Sequence, residues 1–147
     1  MKTLHELQLL ILEWANDKDL LKFENAPKQR LKLLEEVGET AGAILKNNTD
    51  EIKDGIGDIF VVLVILSEQL SEEILFDMNG VAKDDDQDFV FLFDNIINPK
   101  RLYFSLAYLN DICTKLDLDL TECANLAWNE IKDRTGQTID GTFIKNN

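Results

Sequence analysis

Five carboxylates in two short stretches are the side chains of this sequence best placed to do chemistry. "LKLLEEVGETAGAIL", residues 31–45, carries Glu35, Glu36 and Glu39, and "DGIGDIFVVLVIL", residues 54–66, carries Asp54 and Asp58. At 100° per residue Glu36 and Glu39 lie about 60° apart and one turn along a helix, so their carboxylates can converge, while Glu35 points about 100° away from Glu36. Taken alone, that pattern is equally an ordinary solvated helix face. Asp54 and Asp58 are four apart, on a stripe that continues as Val61, Val62 and Ile65, which puts Asp58 at the edge of a dry region. A carboxylate there needs a cation or strong hydrogen bonds. Either it meets a basic side chain such as Lys32 or a C-terminal Arg, or the Glu36/Glu39 face meets the Asp54/Asp58 face across the fold. In the second case the oxygen donors suit Mg²⁺ or Mn²⁺. Zinc is disfavoured, because His5 is the sole histidine and lies far away in sequence.

The elements that must carry these acids read as helices. Apolar residues at 4, 7, 10, 11 and 14 predict a first helix from Leu4 to about Leu21. Asn25 as cap and Pro27 in the first turn predict a second, running to about Lys46. On it, Leu34, Val37, Ala41, Ile44 and Leu45 are expected to face the core, with Gln29, Lys32, Glu36 and Glu39 opposite. A third helix is capped by Asn48 or Thr49 and runs to about Leu70; its "IFVVLVIL" is apolar all round, as a buried helix is. Residues 71–99 read as irregular, with "FDMNG" a turn and "AKDDDQD" a solvated acidic loop. Helical spacing returns from Leu102 to Leu116 and from Leu120 to Lys132, and the tail after it reads as an extended arm or short hairpin. The expected architecture is an all-α bundle of four to five helices in one domain, residues 1–147.

Composition narrows the partners. With 28 acidic against 15 basic residues the formal charge is −13, which argues against a nucleic-acid grip. The longest apolar run has eight residues, far short of the roughly 20 that span a bilayer. The first residues lack a secretory pattern, so the cytoplasm is the expected location. Cys113 and Cys123 read as small buried hydrophobes. With Asp84 as position one, a calcium loop would have Phe89 and Asn95 where Gly and Glu are required. No GxxxxGK[ST] motif is present, and no Ser or Cys nucleophile has a usable histidine.

EExxE on one helix followed by a "GD" and an apolar run on the next resembles the MazG-like nucleotide pyrophosphohydrolases of the all-α NTP pyrophosphatase group. "QRLKLLEEVGE" and the closing "AWNEIKDRTGQTIDGTFIK" look like a small phage and bacterial subgroup. The family's second element is ExxD. Here Gly55 stands where the Glu belongs, with Asp54 one residue earlier, which puts Asp54 in doubt as a ligand. The resemblance implies Mg²⁺-dependent hydrolysis of a nucleoside triphosphate to the monophosphate and pyrophosphate, by a homodimer or homotetramer. It implies metal ligation by Glu36, Glu39 and Asp58, with Asp54 in question, and Glu39 or Glu35 as the base. Lys32 is then a phosphate contact or a salt-bridge partner. Asn129 and Lys132 match a phosphate-side pair or form an exposed helix end; Arg134 is a weaker candidate of the same kind. Trp14 either stacks on a base or packs in the core. The competing expectation is a non-catalytic helical interaction or nucleotide-sensing module that keeps this fold.

Overall fold

The computed structural model describes residues 1–77, 87–98 and 102–147. Six helices are found among them: α1 (Leu4–Asp17), α2 (Ala26–Leu45), α3 (Thr49–Leu70), α4 (Phe89–Ile97), α5 (Ser105–Lys115) and α6 (Leu120–Ile131). An antiparallel hairpin follows, β1 (Gly136–Ile139) and β2 (Thr142–Lys145), with Gln137 opposite Ile144. Among the described residues the fold is all-α apart from this pair of strands. Of the two forms open to the tail, extended arm or short hairpin, the chain takes the hairpin: Asp140 and Gly141 both have positive φ, as the two central residues of a tight hairpin turn do.

The helix ends follow local chemistry. Thr3 caps α1 by accepting from the Glu6 N–H, and Asn48 caps α3 by accepting from the Glu51 N–H. α1 ends four residues before the expected Leu21, because Asp19 turns left-handed and Leu20 folds back into the core. Asn25 does not cap α2. It is buried, and its amide donates to the carbonyl of Leu20, tying the α1–α2 connection together. The stretch expected to be irregular contains α4, capped by Asp88 accepting from the Phe91 N–H, with Leu92, Phe93 and Ile96 buried. The expected "FDMNG" turn and most of the acidic loop lie outside the described residues.

α3 is the centre of the molecule, packed along α2 and α6 and touched by α1 and α5. Residues 59–67 are all buried within this one chain, so the all-round apolarity of α3 needs no partner subunit to explain it. Two glycines permit the close packing. A side chain on Gly55 would collide with Thr40 of α2, and one on Gly57 would collide with the Cys123 carbonyl and Ala127 of α6. Cys113 and Cys123 are buried free thiols on α5 and α6.

The seam at Gly55 also sets which face of α2 is inside, and it differs from expectation. Gln29, Leu33, Glu36, Val37, Thr40 and Ala43 are buried. Leu31, Leu34 and Leu45 are 59%, 51% and 85% exposed. Apolar residues on α2 spread over more than half the helix circumference, so their mean direction is a poor guide. The small-residue contact of Thr40 with Gly55 rotates Glu36 inward instead.

Candidate active site

Inward rotation of α2 buries Glu36 to 5% exposure. Lys32, one turn earlier, donates to Glu35 Oε1 at 2.6 Å and reaches Glu36 Oε1 at 3.1 Å. Glu36 Oε2 is buried and has no partner. Burial pushes the Glu36 carboxyl above its ordinary pKa, and the Lys32 ammonium pulls back only part of that. Burial opposes the Lys32 charge too, yet the bonds to Glu35 and Glu36 hold its pKa above the usual lysine value.

Asp58 of α3 lines the same cavity, of about 380 Å³. Half-buried, it is pushed up to about 7, first by burial and then by the charges of Glu36, Glu130 and Asp54. Val61, Val62 and Ile65, the continuation of its helical stripe, form the apolar wall beside it. Trp14 of α1, Lys32, and Arg134 after α6 complete the predicted residues found here, and Gln29, Phe143 and Lys145 join them from outside the prediction.

The other predicted residues are placed elsewhere. Glu39 and Asp54 line a second cavity with Lys46 and Glu51, and Asp58 borders both cavities. Asp54 is exposed, and its carboxyl is raised by what burial it has and by Glu130, Asp50 and Glu51. Glu35 sits on the outer surface among Leu31, Lys32 and Leu34. Asn129 and Lys132 are exposed and line neither cavity. Their neighbour Glu130 is the acid of α6 whose field reaches Asp54 and Asp58, and it pairs with Arg134 at 2.9 Å. "NEIKDR" contained Glu130, but nothing in its spacing set it above Asn129 and Lys132.

The donor set fits a hard divalent cation in kind: Glu36 has a buried carboxylate oxygen without a partner, and Asp58 is disfavoured as an anion by burial and by its acidic neighbours. As the side chains stand, no three or more acidic, His or Cys groups among the described residues converge closely enough to hold a metal. Lys32 supplies the positive charge beside Glu36 instead.

Residues 27–84, which include α2 from Pro27 on, α3 and every predicted metal ligand, match the MazG nucleotide pyrophosphohydrolase domain. Over that segment, under half of the chain, the sequence is similar to that domain. The matched domain is that of a hydrolase, and it ends well before the closing "AWNEIKDRTGQTIDGTFIK". A similar curated protein is the "Uncharacterized 18.2 kDa protein in rep-hol intergenic region" of Haemophilus phage HP1 (strain HP1c1). It is 46% identical over 69 residues, which cover 47% of this chain and 42% of the relative. The chain thus matches less than half the length of that relative. No solved structure matches significantly. No helix among the described residues is long and apolar enough to cross a membrane.

Proposed function

We propose that this MazG-like chain, acting as one domain over residues 1–147, hydrolyses a nucleoside triphosphate to the monophosphate and pyrophosphate, with removal of unwanted nucleotides from the pool as its use. The observation that carries the reading is that Glu36 and Asp58, from different helices, share one cavity with Lys32 and Arg134. In a chain of charge −13, a site combining buried carboxylates with cations suits a metal-bound polyphosphate. The ligands we assign to Mg²⁺, replaceable by Mn²⁺, are Glu36, Glu39 and Asp58, with Asp54 at the outer edge. When bound, the metal supplies charge neutralisation of the triphosphate and Lewis-acid polarisation.

The chain's own residues do the rest. Asp58 must give up its proton to act as a ligand, which the metal's charge favours. Glu39, exposed beside Asp58 in the second cavity, takes the proton of the attacking water as the α–β phosphoanhydride bond breaks and pyrophosphate leaves. Glu35 is a positioning residue, since its bond to Lys32 holds the ammonium at the cavity, where it would face the phosphates. Arg134 is held at the cavity by Glu130 and serves as a second phosphate contact. Asn129 and Lys132 have no part in this scheme.

The working unit we propose is a homodimer or homotetramer. Leu31, Leu34 and Leu45 lie within about 60° of one another on α2 and are all exposed. An apolar helix stripe of that kind suits a second copy of the chain, and it borders Lys32 and Glu35. The test of the reaction is product analysis: with Mg²⁺ and each of the common NTPs and dNTPs, monophosphate and pyrophosphate should form in equal amounts. Diphosphate and inorganic phosphate, or no product from any nucleotide or metal, would overturn the proposal.

A further inference from the structure

The terminal hairpin forms one wall of the cavity that Glu36 and Asp58 share, together with the apolar Leu20, Val61, Val62 and Ile65. Strand β2 contributes Thr142, Phe143 and Lys145. Side chains two apart on a strand share a face, so β2 presents an aromatic ring and a cation to the cavity side by side. Phe143 meets the Trp14 ring edge to face at 5.0 Å, and Lys18 lies over the same indole at 5.5 Å. The hairpin is anchored where it must be for this purpose: Thr138 Oγ1 donates to the Lys18 carbonyl at 2.7 Å, just past the end of α1. Opposite, Gln29 sits on the buried face of α2, seven residues before Glu36, or about 10 Å along the helix axis. Lys145 makes no ion pair among the described residues, whereas Lys32 and Arg134 are both paired.

Trp14 adds a polar observation. The residue is 9% exposed, and its indole N–H is buried without a partner. An unmade hydrogen bond of this sort is a net cost to the fold.

We infer that the hairpin is the wall against which the nucleoside part of the substrate is selected: Phe143 and Trp14 hold a flat heterocycle, and the Trp14 N–H with the Gln29 amide reads its polar edge. Lys145, on the same strand, meets the phosphate tail. This rests on the nucleotide reading above. It places the aromatic part of base discrimination, Trp14 and Phe143, outside the matched segment 27–84, so chains sharing the α2–α3 acids need not share a substrate.

The experiment is a fluorescence titration with nucleoside monophosphates, which bind without being hydrolysed to pyrophosphate, run beside the pyrophosphate-release assay. Nucleoside monophosphates should change the tryptophan emission saturably, inorganic tripolyphosphate should not, and the change should vanish in Trp14→Phe. Phe143→Ala should weaken binding by about fivefold or more and bring the tightest and weakest bases to within about twofold of each other. Phe143→Leu, which keeps apolar volume in the wall, guards against simple unfolding and should lose base preference while melting like the wild type. Lys145→Ala should weaken triphosphates more than nucleosides. The inference is overturned if no nucleoside monophosphate binds, if the emission change survives Trp14→Phe, or if both Phe143 variants keep wild-type affinities and base ratios. Binding of monophosphates without pyrophosphate release from any triphosphate would instead overturn the hydrolase reading and leave the hairpin's role standing.

Discussion

Thr40 stands in the space that a side chain on Gly55 would need. Its hydroxyl donates to the Glu36 carbonyl at 2.7 Å, and the bare Gly55 backbone leaves it the room to pack against α3. The missing acid at position 55 is therefore part of the packing that turns Glu36 inward. Adding a methyl group there, Gly55→Ala, should destabilise the protein by about 1–3 kcal/mol through overpacking. Thr40→Ala should relieve much of that in the double variant, measured by denaturant unfolding of all four proteins. Additive effects would show that the two residues do not share the space.

Asp58 sets a pH dependence. Its pKa moves from 3.8 to about 7 on folding, so between those values the folded protein holds a proton that the unfolded chain has lost. The metal-free protein should thus be most stable near pH 4 with respect to this group, losing that stability as pH rises through 7. Glu36 is raised as well and adds in the same direction. Asp58→Asn should flatten the profile between pH 5 and 8 and stabilise the metal-free protein at pH 8 by on the order of 1 kcal/mol, about 3 °C in Tm. A profile unchanged by the substitution would show that Asp58 titrates normally.

Lys32 compensates a buried carboxylate. Lys32→Met should cost the metal-free protein about 1 kcal/mol, discounted from a fully buried pair because the lysine is half exposed. Saturating Mg²⁺ should reduce that loss, because the cation then neutralises Glu36. Thermal melts with and without Mg²⁺ measure both, and an equal loss in the two conditions would contradict metal binding at Glu36.

The exposed stripe on α2 bears on assembly. Leu31→Glu with Leu34→Glu should leave the fold intact by circular dichroism, since neither side chain is buried. It should convert the assembly to monomers in light scattering, and a wild type that is already monomeric would remove the proposed interface.

What the sequence disclosed was local. Helical spacing and caps located α1, α2, α3, α5 and α6 to within a few residues, and the 100° construction put Asp58 on the stripe of Val61, Val62 and Ile65 that lines the cavity. The buried face of α2 was not legible, because it depends on the contact between Thr40 and Gly55, residues on different helices. α4 was hidden by its acidic surroundings, although "FVFLFDNII" is apolar enough to pack. Phe143 and Lys145 were invisible for a different reason: no local pattern in a terminal arm says that it folds back over Trp14, about 130 residues earlier, and only tertiary contact does so.

The central claim is that Glu36 and Asp58 form one metal-dependent catalytic site, and the rate of pyrophosphate release by Glu36→Gln and Asp58→Asn tests it most directly. With Mg²⁺ and the best nucleotide, each variant should fall by about 100-fold or more while melting at or above the wild-type temperature. Rates within about twofold of the wild type in both variants would contradict it.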